Sequence, residues 1–265
     1  MSILVRIADD RRRRIEALKL VTPAHVLRTR LGRTQPAGRL ERALRRGGPG
    51  GAIKLLCEIM RASPSKGMLK PDVDAPAMAM LYEQGGAAGI SIVTEPDHFL
   101  GEVEWVNRVR AAVRIPILLK DIVVDSYQLV DAAARGADAV LLIAALLSDV
   151  QTQRLVSEAR LLGLDCLVEV RDGDELRRSI RAGATLVAVG GHDPDTFEAN
   201  LETSLQLLPQ VPPHVTAVAQ SGLATPADLE RLRATRCDAA LVGEGFMTSA
   251  DPAGALASLR AAAQR

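Results

Sequence analysis

Aromatic side chains are scarce in this sequence: three Phe, two Tyr and one Trp are present in 265 residues, although apolar residues make up 48% of the chain. The core must then be filled by Ala, Val, Leu and Ile, which favours helices packed on buried aliphatic strands. A surplus of charge is missing as well. Against 33 basic residues stand 32 acidic ones, a formal net charge of +1, so the broad electrostatic attraction expected of a nucleic-acid binder is absent. Cysteine is sparse: Cys57, Cys166 and Cys237 are odd in number and far apart. No zinc-ligand spacing or redox motif can be built from them, and a reducing cytoplasm is the simplest expectation. Long apolar runs are also lacking. Ile3, Leu4 and Val5 stop at Arg6, and nothing later approaches the roughly 20 residues of a membrane span, so secretion and membrane insertion are both disfavoured.

What is present reads as one large α/β unit, since α/β barrels commonly use about 250 residues as a single domain. Residues 1–48 are rich in Arg and carry helical spacing, as in Ile15, Leu18 and Leu20, until Gly47, Gly48, Pro49, Gly50 and Gly51 break it. They form an N-terminal helical extension, in which the run Arg11 to Arg14 reads as a solvated helix face rather than a gate for an anion. From residue 49 to 265 short aliphatic runs alternate with amphipathic segments. The runs lie near 53–59, 88–93, 116–120, 138–143, 164–170, 185–190, 214–219 and 238–243, and helices are clearest over 126–135, 149–162, 172–182 and 225–235. Eight strands joined by helical crossovers predict a closed (β/α)8 TIM barrel. Gly86-Ala87, Gly136-Ala137 and Gly183-Ala184 fall where helices should end, in keeping with left-handed caps.

In such a barrel the chemistry belongs at the carboxyl ends of the strands. Glu58 ends the first, Lys120 the third and Glu169 the fifth, and alternation can turn all three inward, with Met60 on the same face as Glu58. One lysine and two carboxylates would then meet, either as general acid and base or as an ion-pair network fixing strand register. Gln220-Ser221-Gly222 and Gly243-Glu244-Gly245 follow the seventh and eighth strands, where barrel loops often cradle phosphate.

Arg61-Ala62-Ser63-Pro64-Ser65-Lys66-Gly67 resembles the loop after the first strand of the indole-3-glycerol phosphate synthases. Ser91 to Glu95 with Phe99-Leu100-Gly101, Leu119-Lys120-Asp121, Gly136 to Ile143, Leu167 to Val170 and Leu241 to Glu244 resemble that family in the same order, over essentially the whole chain. The resemblance implies a cofactor- and metal-free enzyme of tryptophan biosynthesis that decarboxylates and cyclises 1-(2-carboxyphenylamino)-1-deoxyribulose 5-phosphate. By that analogy Lys120 is the general acid, Glu169 assists proton removal and dehydration, and Glu58 orients the charged groups. Ser63, Ser221, Gly222, Gly243 and Glu244 would hold the substrate and its phosphate, Phe99 would wall the aromatic ring, and Gly190 would line the site.

The departures cluster at the mouth. The family's Glu-x-Lys is Glu58-Ile59-Met60 here, its Gly-Ile-Asn-Asn-Arg becomes Ala188-Val189-Gly190-Gly191-His192, its Glu-Ser-Gly becomes Gln220-Ser221-Gly222, and its Lys-Asp-Phe becomes Lys120-Asp121-Ile122. Exchanging a Lys at Met60 and a Glu at Gln220 leaves their combined charge unchanged. Lys54 lies about 20 Å lower on the strand and cannot replace the missing lysine; Lys66 could if its loop folds inward. Without a neighbouring ammonium, Glu58 should ionise less readily unless Lys120 approaches. His192 reads as a loop cap in preference to a new acid or base, and the two glycines at 190 and 191 should free volume for a bulkier or differently substituted substrate. The main expectation is a cyclising carboxy-lyase, in its ordinary or a retuned form. The alternatives are a paralogue acting on a related aryl-amino sugar phosphate and a non-catalytic phosphate-binding barrel. A monomer is the default, with a small sugar phosphate as its partner and neither nucleic acid nor membrane.

Overall fold

Aliphatic side chains on both faces of a strand can be buried only if the strand is covered on both sides, and eight such segments run parallel in this chain. They are β1 (Lys54–Ile59), β2 (Gly89–Val93), β3 (Ile117–Lys120), β4 (Ala139–Ile143), β5 (Asp165–Val170), β6 (Leu186–Gly190), β7 (Thr216–Gln220) and β8 (Ala239–Val242). Each pairs with its neighbours in sequence, and β8 closes on β1 with Lys54 opposite Ala239. The computed structural model describes residues 2–32, 36–48, 50–190, 200–220, 222–223 and 225–264. The strands fall within a residue or two of the runs read from sequence. A two-residue antiparallel ladder, Ala62–Ser63 with Gly67–Met68, adds a small hairpin after β1.

Three helices precede the barrel: α1 (Ile3–Val21), α2 (Ala24–Arg28) and α3 (Arg39–Leu44). The crossovers and chain end contribute α4 (Ala75–Gln84), α5 (Glu104–Ala112), α6 (Ser126–Ala134), α7 (Asp149–Leu161), α8 (Gly173–Arg181), α9 (Leu201–Leu207), α10 (Pro226–Arg233), α11 (Glu244–Met247) and α12 (Pro252–Gln264). Local chemistry sets their limits. Asp125 with Gln128 and Ser148 with Gln151 form capping boxes that start α6 and α7. At the other end, Gly86, Gly136 and Gly183 all have positive φ, and the amide of the Ala that follows each one bonds back to the helix it leaves. No helix among the described residues is long and apolar enough to cross a membrane.

Two apolar layers result. Leu55, Cys57, Ile90, Ile92 and Val168 belong to the layer between strands and surrounding helices. Leu56, Leu118, Leu141, Leu167, Leu186, Val218 and Leu241 fill the barrel. Both ends of that interior are closed by the N-terminal helices. Leu40 and Leu44 of α3 plug the amino-terminal end, where Asp165 at the start of β5 accepts from the amides of Leu40 (2.8 Å) and Glu41 (3.1 Å). Leu4, Ile7 and Ala8 of α1 pack at the opposite mouth with Ile122 and Ile143.

Candidate active site

Register puts Glu58 beside Ser91 and Lys120 beside Val93, so three adjacent strands deliver their polar side chains to one level. The Lys120 ammonium lies 2.9 Å from Glu58 Oε2 and 3.2 Å from Oε1, and Ser91 Oγ donates to Oε2 over 2.8 Å. The pair is nearly dry, with side-chain exposures of 15% for Lys120 and 5% for Glu58. Tyr82 OH donates to the Glu58 carbonyl at 3.1 Å. Gly243 backs the pair from β8: a Cβ there would stand 2.8 Å from Glu58 Cβ and 3.0 Å from its Oε1. Lys120 therefore approaches Glu58 closely enough to give it a neighbouring ammonium.

Glu169 completes the constellation from β5. Burial pushes its carboxyl upward from the ordinary range; the Gln220 amide and then the Lys120 ammonium act in the opposite direction. Glu169 and Lys120 line the same cavity, walled by Leu4, Phe99, Ile122, Leu141 and Ile143. Gln220, 2% exposed, approaches Glu169, yet neither its amide nitrogen nor its oxygen has a hydrogen-bond partner among the described residues. An ammonium and a carboxyl of raised proton affinity facing one cavity are a candidate proton donor and acceptor. Among the described residues, Lys120 is the one cation lining that cavity.

Loop carboxylates hold this arrangement. Glu95, 1% exposed, accepts from the amides of Asp97 (3.1 Å), His98 (2.7 Å) and Phe99 (2.9 Å), which fixes the turn that brings Phe99 to the cavity. Asp121 accepts from Arg11 Nε (2.8 Å) and Nη2 (2.6 Å), from Thr94 Oγ1 (3.2 Å) and from the Ile122 amide (2.7 Å). Arg11 corrects the reading of its run as a solvated face: its side chain is only 7% exposed, whereas Arg12, Arg13 and Arg14 are exposed as expected. Helical periodicity turns one residue in a run of four toward the barrel, and Asp121 offers it a buried partner.

Several other sequence-predicted residues do not line this cavity. Met60 does not share the inward face of Glu58, because β1 ends at Ile59 and alternation ends with it. It packs in the outer apolar layer, its amide 3.4 Å from Met247 Sδ. Lys66 does not fold inward: it is 59% exposed and faces Glu244 at 3.9 Å across two loops. Ser63 Oγ accepts from the Lys66 amide at 3.2 Å within its hairpin. Gly190 frees no volume. It has φ +112°, and a Cβ there would meet Ser204 Oγ at 2.5 Å and the Gln220 carbonyl at 2.6 Å. Gly222 lies after β7 against Leu201, and Gly243 precedes α11, which opens with Glu244. Ser221, Gly191 and His192 lie outside the described residues.

Sequence reasoning missed Ser91, Glu95, Asp121, Gln220 as an orphaned amide, and Arg11. Asp121 could have been found by its place directly after Lys120, and Glu95 by its place just beyond a strand end. The partner of Arg11 is 110 residues away and left no local signal. Among the described residues no three His, Cys, Asp or Glu side chains are grouped to hold a metal ion.

A closed parallel (β/α)8 barrel with an ionisable, apolar-walled cavity at the carboxyl ends of its strands defines the class. Sequence comparison narrows it: the family model for indole-3-glycerol phosphate synthase matches residues 4–259, and the chain belongs to that family. It is 39% identical over 259 residues to an indole-3-glycerol phosphate synthase of Azospirillum brasilense, covering 98% of this chain and 99% of that one. It is 40% identical over 264 residues to indole-3-glycerol phosphate synthase 1 of Streptomyces coelicolor, covering 100% of this chain and 97% of that one. The solved structure of 3-hexulose-6-phosphate synthase from Salmonella typhimurium matches with a TM-score of 0.63 at 17% identity, over 80% of this chain and 98% of that one, a likeness of fold alone.

Proposed function

We propose that this chain closes the indole ring of indole-3-glycerol phosphate, releasing carbon dioxide and water from 1-(2-carboxyphenylamino)-1-deoxyribulose 5-phosphate. The observation that carries this reading is the convergence of Lys120, paired to Glu58, and Glu169 on one cavity at the barrel mouth. Lys120 donates a proton to the ribulose carbonyl oxygen as the ring carbon bearing the carboxylate attacks the carbonyl carbon. Loss of that carboxylate as carbon dioxide restores the ring electrons. Lys120, reprotonated from solvent, then protonates the new hydroxyl, which leaves as water while Glu169 takes a proton from the adjacent ring methylene, so that the carbon–oxygen and carbon–hydrogen bonds break and the indole double bond forms. Glu58, anchored by the Ser91 hydroxyl, holds the ammonium in place, and Phe99 walls the aryl group. The phosphate is assigned to the ends of β7 and β8, at Ser221, Gly222, Gly243 and Glu244, with Ser63 contributing through its hairpin.

Supplying that substrate and following indole fluorescence tests the assignment. Product formation supports it; substrate binding without fluorescence supports a phosphate-binding barrel instead. The paralogue reading gains support from Met60, whose place in the outer layer leaves Lys120 without a second described cation at the cavity. It predicts faster turnover of a differently substituted aryl-amino sugar phosphate. The reading carries with it a cytoplasmic, monomeric enzyme that needs no cofactor.

A further inference from the structure

Lys120 is the final residue of β3, one of the two shortest barrel strands at four residues, so its side chain leaves the sheet where pairing stops. What holds the next residue decides where the ammonium points. Asp121 is 3% exposed and accepts four hydrogen bonds, two of them the parallel arms of the Arg11 guanidinium. Thr94 ties the same corner twice: its amide donates to the Lys120 carbonyl at 3.0 Å and its hydroxyl to Asp121 at 3.2 Å. The geometry points to Arg11 as a positioning residue for the reaction, acting from α1 through Asp121 on the direction of the Lys120 ammonium. A rigid fork suits this task better than a point charge, because two parallel bonds fix the carboxylate plane.

The helix that carries Arg11 is itself seated on both sides of it. Leu4, Ile7 and Ala8 enter the barrel-mouth cluster, while Ile15 packs with Leu27, Tyr127 and Val130 over α6. Arg14 to Asp97 (2.7 Å) and Lys19 to Asp125 (2.8 Å) add exposed or half-exposed ties. Arg11 is the buried tie among them. The inference rests on the assignment of Lys120 as acid, and its test separates the two.

Three variants are compared with the parent below their melting temperatures: Arg11→Lys, Arg11→Met, and Arg11→Met with Asp121→Asn. Melting temperature, kcat and KM are read for each, together with the NMR signal of the Lys120 side-chain ammonium, assigned with Lys120→Met. The double variant strands no buried charge, so its melting temperature should recover most of what Arg11→Met loses. Its kcat should stay at least about 10-fold below the parent with KM little changed, since small misplacements of a reacting group cost rate more than binding. Arg11→Lys should keep its fold, lose kcat by a smaller factor, and shift or broaden the Lys120 signal. Recovery of kcat together with melting temperature, or an unmoved Lys120 signal in Arg11→Lys, overturns the inference and leaves a purely structural ion pair. A parent that fails to turn over the substrate defeats the assignment of Lys120; the NMR signal still decides whether Arg11 orients that side chain.

Discussion

Replacing Lys120 by Met removes the proposed acid and also strands a buried charge. The Glu58 carboxylate would keep the Ser91 hydroxyl at 2.8 Å but lose the ammonium at 2.9 Å, with only 5% of its side chain exposed. Breaking a buried pair by removing one partner costs about 3–5 kcal/mol. The retained serine bond places this case at the lower end, about 3 kcal/mol, or a melting temperature lower by about 6–12 °C at this chain length. Loss of a general acid should reduce kcat roughly 100- to 10,000-fold. Adding Glu58→Gln removes the stranded charge while keeping an oxygen for Ser91, so Lys120→Met with Glu58→Gln should melt within about 2–4 °C of the parent and remain inactive. Calorimetry and indole fluorescence on the same samples separate stability from chemistry. Turnover near the parent rate in either variant would refute Lys120 as the acid; a Lys120→Met protein that melts like the parent would refute the energetic account of the pair.

Glu169→Gln should abolish turnover and stabilise the protein at neutral pH. Glu169 has a raised proton affinity in the fold, so its contribution to stability is complete below the ordinary carboxylate value of about 4.3 and is lost as pH rises through the raised folded value. Gln does not ionise, so its advantage in thermal melts should be present at pH 8 and vanish toward pH ~4; an equal advantage at both would contradict the burial argument. Gln220→Glu puts a second carboxylate beside Glu169 and should move the acid limb of kcat/KM to higher pH, and a limb that stays put means the two side chains do not interact. Gly190→Asn, which restores a residue of the family pattern, should cost about 1–3 kcal/mol, because its Cβ would press on Ser204 and the Gln220 carbonyl in a left-handed backbone. Denaturant melts that show no loss would mean the β6 end can relax.

Much of the fold was legible because its signals are local. Aliphatic runs, three of them preceded by Gly-Ala caps, locate all eight strands, and period-two alternation anticipates the polar side chains at the strand ends, where Lys120 meets Glu58 and lines one cavity with Glu169. The same alternation fails at Met60, since it holds only while the strand lasts and β1 stops at Ile59. Gly190 reads in sequence as lost side-chain volume; in the fold that volume already belongs to Ser204 and a neighbouring strand. Arg11 is the hardest case. Four consecutive arginines look alike until a carboxylate 110 residues away selects one of them for burial. Long-range pairing of this kind follows from the closed barrel and cannot be read from spacing alone.

If Lys120 and Glu169 act on one sugar phosphate, a crystal structure with an unreactive analogue will show both side chains on it. The analogue is the substrate with its ketone reduced to an alcohol. Lys120 Nζ should lie within about 3.2 Å of the oxygen that replaces the carbonyl, Glu169 should touch the same molecule, and the phosphate should sit at the ends of β7 and β8. An analogue bound at the mouth but out of reach of either side chain would contradict it.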